Sequence, residues 1–286
     1  MMTNMSRLDQ TTRTTRPNKG LSRFLTFLIF CCAFFGIGGI ILNQTVLKES
    51  FTQEQLNQPK TLKLVTNEFN TVLLDAAQKN GLPQSVQVQL LSAADVKTDM
   101  TKTINNIYAF KDRPLDSDQM VEQMAGNLTA AIPSNPIEQA LVKTAVAAVQ
   151  PPLKTYLNDQ IQTPYLTPMV SELAVMTSVV NIGMWIAIIM GIVLLIVQYA
   201  VSGKFRYLFG SLGAALAWSG LFLLLGTETA KFSGLIEEVA QRAGEFNTVI
   251  INYATSVLDY AWQVSLITLI CGVVLWILAK IFQKVR

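Results

Sequence analysis

The sequence predicts an all-α membrane protein in which four transmembrane helices carry a helical extracytoplasmic domain inserted between the first and the second. Three observations predict it. Four apolar blocks interrupt the chain, basic residues flank those blocks on alternate sides, and the long segment between the first two blocks repeats its apolar residues at helical spacing.

The blocks are 24–42, 179–201, 207–226 and 257–279, and none contains Lys or Arg. Each lies within the roughly 17 to 25 residues that cross a hydrocarbon layer. The 286-residue chain is 51% hydrophobic and 14% charged, more apolar than an ordinary soluble domain, and the excess is concentrated in these blocks.

Orientation follows from the basic residues. Arg7, Arg13, Arg16, Lys19 and Arg23 precede the first block, Lys204 and Arg206 separate the second from the third, and Lys280, Lys284 and Arg286 follow the fourth. Basic residues stay in the cytosol, which places 1–23, 202–206 and 280–286 there and makes Lys204 and Arg206 the topology determinants of a tight turn. Residues 43–177 hold ten basic and thirteen acidic side chains, and residues 227–256 hold two and four, so both segments belong outside. The net charge of +3 is then a topology signal and no nucleic-acid footprint. For the first block the alternative is a secretory signal, with Gly36-Ile37-Gly38 at a cleavage-like spacing; the apolar run continuing through Ile40, Ile41 and Leu42 favours an uncleaved anchor.

Cys31, Cys32 and Cys271 fall inside the blocks, so the outer domain is expected without a disulfide, a usage that suits the plasma membrane of a Gram-positive bacterium. The basic leader lacks apolar periodicity and reads as a disordered tail meeting anionic headgroups.

In the outer segment, Leu62, Val65, Phe69, Val72, Leu73, Ala76 and Ala77 trace one face of a helix from Phe51 to Lys79, stopped by Asn80-Gly81. A second helix is expected from Pro83 to Ser85 onward with Val86, Leu90 and Leu91 apolar. Ser92 to Asp95 reads as a capping box opening a helix toward Tyr108, with Val96, Met100, Ile104 and Ile107 as its apolar face. After the break at Pro114 come a helix from Asp118 to Ala131, another from Asn135-Pro136 to Val149 ended by Pro151-Pro152, and a short one over 153–161. Thr167-Pro168 then opens a helix running into the second block. In the second outer segment, Phe232, Leu235, Ile236, Val239, Ala240, Ala243 and Phe246 mark one amphipathic helix, docked on the outer domain or lying on the outer leaflet.

Small residues mark packing faces. Gly183, Ala187 and Gly191 recur every four residues in the second block, and Gly210, Gly213, Ala214 and Ala217 line the third. The five-residue turn makes these two spans antiparallel neighbours, and their small faces are expected to meet, with a homo-oligomer face as the alternative. Asn43, Asn181, Glu228 and Asp259 fall at one height near the outer edge of the hydrocarbon, either as a polar cluster at the mouth of the bundle or as the level where each span meets water. Trp185 and Trp262 near that edge and Tyr199 and Tyr207 near the inner one fit interfacial anchoring.

The chain contains no histidine, which excludes Ser-His and Cys-His nucleophile schemes and the commonest metal ligand. Asp259 is the one carboxylate within the blocks, too few for an aspartyl dyad. No phosphate-binding glycine loop follows a strand, and Asp112, Asp116 and Asp118 lack the glycine and glutamate of a calcium loop. No catalytic residue, cofactor or metal site is therefore expected. The reading is a non-enzymatic integral membrane protein whose outer domain meets a protein, peptide or cell-wall partner for binding, sensing or envelope assembly. In its order of one span, a large outer loop and three further spans, the chain resembles the cell-division and macrolide-exporter permeases of the ABC superfamily, which would imply a transporter subunit working with an ATPase. Those permeases dock their ATPase through cytosolic helices, whereas this chain offers 202–206, and their outer domain is mixed where this one reads all-helical.

Overall fold

The computed structural model describes residues 19–80, 88–130, 136–242 and 244–284, and among them the protein is all-helical, without a strand. The leader before Lys19, the helix start expected at Pro83 to Val86, and the Asn135 cap lie outside the described residues. The helices are α1 (Lys19–Gln44), α2 (Glu49–Leu56), α3 (Pro59–Lys79), α4 (Ala93–Tyr108), α5 (Ser117–Ala130), α6 (Pro136–Tyr156), a π-helical segment (Leu157–Leu166), α7 (Thr167–Ser202), α8 (Phe205–Phe232), α9 (Leu235–Gln241) and α10 (Asn247–Lys284).

Four stretches are long and apolar enough to cross a membrane: Gly20–Gln44, Val146–Ser202, Phe205–Phe232 and Asn247–Ile281. Each contains one of the expected blocks and outruns it, because the polar residues beyond the apolar run keep helical geometry once the hydrocarbon length is exceeded. The outward side chains of α7, among them Ile182, Ile186, Ile189 and Ile196, are exposed, as on a helix that faces lipid. The chain is a multi-pass membrane protein.

Several local expectations are corrected. The helix expected from Phe51 to Lys79 is two, because Pro59 takes the first position of α3 and the chain turns at Asn57. Leu90 and Leu91 are buried as expected but lie in an irregular segment. Asn70 of α3 donates from Nδ2 to the Leu91 carbonyl at 2.9 Å and accepts the Leu91 N–H at 2.8 Å, supplying the bonds a helix would have supplied. The Ser92 capping box is formed in full: Ser92 Oγ accepts from the Asp95 N–H and Asp95 Oδ2 from the Ser92 N–H. The backbone continues helically through Pro151 and Pro152, where a stop was expected, and on through Pro164 into the helix expected to open at Thr167-Pro168. The π register around Pro164 shifts the hydrogen-bond ladder by one residue, which relieves the clash a proline makes with the preceding turn. The single amphipathic helix expected over 232–246 is broken: Gly234, at φ 70, separates α8 from the seven-residue α9, and a 3-10 turn (Gly244–Phe246) leads into α10.

Packing divides the chain into two compact units. One comprises residues to Ile37, Met184–Leu224 and those from Val264. Within it, Leu25 and Ile29 of α1, Leu194 of α7 and Ala215 of α8 form an apolar cluster. Gln198, fully buried, donates to Ser22 Oγ at 2.9 Å and to Ser211 Oγ at 3.0 Å. The small-residue faces do not meet each other as expected. Ala187 and Gly191 face α1, with Gly191 3.5 Å from the Cys32 side chain as measured from an added Cβ, and Gly213 faces the α10 backbone. Gly210 lies nearest Ala279, and Ala217 lies against Gly272. The reason is competition for close approach: α10 offers Gly272 as a complement, whereas α7 meets α8 through Leu194, Gln198, Ser211 and Ala215.

The other unit comprises Gly38–Gly183 and Leu225–Gln263. Its core joins Leu73 and Ala77 of α3, Leu90 and Leu91, Met124 and Leu128 of α5, Val149 and Leu153 of α6, and Leu157 of the π segment. Truncating one of these leucines or Met124 to alanine costs about 2 to 5 kcal/mol.

Candidate functional site

The sequence of α4 places Val96, Asp99, Met100, Thr103, Ile104, Ile107 and Tyr108 within one broad helical face. Four of these are the apolar residues expected to pack inward. In the structure they form one wall of a cavity of about 430 Å³ in the second unit, completed by Leu56, Val65, Phe69, Ile161, Leu166, Val249 and Ile250 among others. That volume suits a small organic molecule. The π segment contributes Ile161 and Leu166, so an irregular helical register sits at the cavity wall, as π turns often do at functional sites.

Asp99 interrupts this apolar lining. The residue is 5% exposed; its Oδ1 accepts from Gln119 Nε2 at 3.2 Å and from Gln123 Nε2 at 3.4 Å, while Oδ2 has no partner. Burial pushes the Asp99 carboxyl up to about 6, helped by the negative fields of Asp95 and Asp116 and opposed by the Gln123 hydrogen bond and Lys102. Lys102 itself is occupied outside the cavity, with Nζ 2.6 Å from both Asp116 Oδ2 and Gln119 Oε1.

A second polar feature is a chain of hydroxyls. Tyr108 donates to the Val46 carbonyl at 2.6 Å. Each hydroxyl has one proton, so Thr52, 2.7 Å away, donates to Tyr108, and Tyr253, 3.0 Å from Thr52, donates to Thr52. Burial pushes the Tyr108 hydroxyl up to about 12. All three side chains line the cavity with their bonding already satisfied within the protein.

The residues singled out from the sequence fall elsewhere. Asp259 pairs with Lys231 at 2.7 Å, and Glu228 adds its field to the same lysine, so two of the four polar residues converge on one cation. Asp259 also lines a polar cleft with Gln44, Lys48 and Glu54. Asn43 and Asn181 are half-buried on α1 and α7. Gly183 is exposed, and a Cβ there would meet nothing within 4 Å; Ala214 is half-buried. Gly203, at φ 61, ends α7 with its N–H on the Tyr199 carbonyl, leaving Lys204 exposed and Arg206 with its guanidinium 5.0 Å from the Tyr207 ring centre. The turn is shorter than 202–206.

Asp99, Thr52, Tyr108 and Tyr253 were not singled out by the sequence reading. A signal for Asp99 was available: an acid between Val96 and Met100 on an otherwise apolar face. The arrangement can hold an apolar molecule, with the Asp99 carboxyl buried in the cavity wall. Among the described residues no group of three His, Cys, Asp or Glu side chains is placed to hold a metal ion. No known protein family, curated protein or solved structure matches this chain.

Proposed function

We propose that this is a non-enzymatic plasma-membrane protein that presents its α2–α6 helical unit outside the cytosol as a binding or sensing module. The observation that carries this reading is the cavity: a largely apolar lining with one buried, half-bonded carboxyl has the make-up of a ligand pocket. The alternation of basic flanks argues for the α7–α8 turn, the amino-terminal end of α1 and the carboxy-terminal end of α10 in the cytosol of, on cysteine usage, a Gram-positive bacterium. A partner for the occupied module is a protein, peptide or wall component on the outer side. The short turn at Gly203 and Lys204 gives an ATPase little to grip, and the helical unit has no strand among its described residues; both weigh for this reading over a permease-like subunit.

Topology labelling tests it. With the three native cysteines replaced by alanine, a cysteine at exposed Thr71 is expected to react with a membrane-impermeant maleimide on intact cells, and one at exposed Lys204 only after permeabilisation. The reverse pattern overturns the proposal.

A further inference from the structure

We propose that the cavity walled by α4 takes a small apolar molecule bearing a single ammonium group, held by the free carboxylate oxygen of Asp99. This rests on reading the helical unit as a binding module and names the ligand class it would take.

The body of the ligand follows from the walls. Apart from Asp99 and the hydroxyls, the lining is aliphatic, aromatic or thioether, which favours a desolvated apolar body. Its head group follows from the polar atoms. Thr52, Tyr108 and Tyr253 pass their protons along to the Val46 carbonyl and make no demand on a ligand. Asp99 Oδ2 does make one: a carboxylate oxygen buried without a donor is costly, and a donor brought by a ligand removes that cost.

The sign of the head follows from the charges. Asp95 and Lys102 lie on the same helix, Asp116 directly precedes α5, and Gln119 and Gln123 lie on α5; among the described residues no cation lines the cavity. Lys102 is held by Asp116 and Gln119 and so does not supply the missing donor, and Asp95, a carboxylate that accepts from Ser92 and Asn127, has no proton to offer. An anionic head would meet Asp99 with the same sign, a neutral hydroxyl would give an ordinary hydrogen bond, and an ammonium gives a charge-assisted one, the strongest of the three beside largely apolar walls. The rings of Phe69, Tyr108 and Tyr253 in the lining favour a cation further. A bare divalent ion is a poor fit, since the one carboxylate would need several more oxygen ligands that the apolar walls do not provide.

The test uses the full chain in phosphatidylcholine nanodiscs at pH 7.5, with empty nanodiscs subtracted, and titration calorimetry with three probes that share one body: 4-phenylbutylamine, 4-phenylbutanol and 4-phenylbutyrate. The amine is expected to bind at least tenfold tighter than the alcohol, and the carboxylate not detectably. Asp99→Asn is expected to bring amine and alcohol to equal affinity while keeping alcohol binding, and Thr103→Phe, which fills the cavity, to abolish both. Equal affinity of amine and alcohol for the unaltered protein overturns the proposal, as does an amine preference that survives Asp99→Asn. Absence of binding by all three probes also overturns it, whereas the labelling pattern at Thr71 and Lys204 reports on the binding-module topology independently.

Discussion

Gly213 and Gly272 sit so close that a Cβ on either would lie 2.8 Å from the carbonyl oxygen of the other. A side chain at Gly272 would also meet the Ala217 backbone nitrogen at 2.2 Å, and one at Gly213 the Trp276 nitrogen at 2.5 Å. Backbone cannot swing away as a flexible side-chain tip can. Gly272→Ala is therefore expected to push α8 and α10 apart and cost about 1 to 3 kcal/mol, read as a lowered melting temperature in detergent. Gly183→Ala, with open space at its Cβ, is the control and should leave melting unchanged.

Phe110 ends α4 at φ 55, the left-handed position that glycine usually fills. Its N–H bonds to the Ile107 carbonyl and the Lys111 N–H to the Asn106 carbonyl, the paired bonds of a Schellman stop. The residue is 44% exposed, so little packing compensates the strained backbone. Phe110→Gly should raise stability by about 1 kcal/mol, measured by thermal unfolding.

Asp99 gives a pH dependence of definite sign. Its carboxyl titrates at about 6 in the folded chain, above the ordinary carboxylate range, so the folded state holds a proton there more tightly than the unfolded one. Its contribution favours folding at low pH and is lost as pH rises from about 4 through 6. Asp95, held low by hydrogen bonds from Ser92, and Asp116, held low by Lys102, act in the opposite sense, losing their contribution as pH falls through the range below about 4. Asp99→Asn is expected to flatten the pH 4 to 6 part of the profile and to stabilise the protein at pH 7.5 by about 1 kcal/mol. A profile unchanged by the substitution would contradict the assignment.

Asn70 holds the irregular segment at Leu91 by two hydrogen bonds from one amide. Asn70→Leu removes both and leaves a backbone N–H and carbonyl beside the fully buried Leu91 side chain without those partners. A loss of about 2 to 4 kcal/mol is expected, with hydrogen exchange at the Leu91 amide rising more than at Leu73.

Periodicity made much of this legible. The four spans, the α4 face and the Ser92 cap are all local: each is set by residue type within a few turns, which is why Val96, Ile104 and Ile107 point where their spacing says. Partners are not local. The small faces of α7 and α8 could be seen in the sequence, but which helix each would meet depended on Gly272, some sixty residues beyond Gly213. Proline misled for a related reason: Pro151 and Pro164 are breakers for an isolated helix, yet packing of Val149, Leu153 and Leu157 in the core holds the chain helical through them. The candidate site was the least legible part, because Asp99 and the Thr52, Tyr108 and Tyr253 hydroxyls come from three helices.

The hydroxyl series ending at Val46 has a direction, since its last acceptor is a carbonyl that can only receive. Rank along such a series decides what a deletion does. Removing the first hydroxyl, in Tyr253→Phe, cancels a single bond and leaves every later group served. Removing the second, in Thr52→Val, cancels two and strands a donor on one side and an acceptor on the other. Two changes of similar size on the same wall should therefore differ in cost by about 1 kcal/mol or more, with the upstream one the milder.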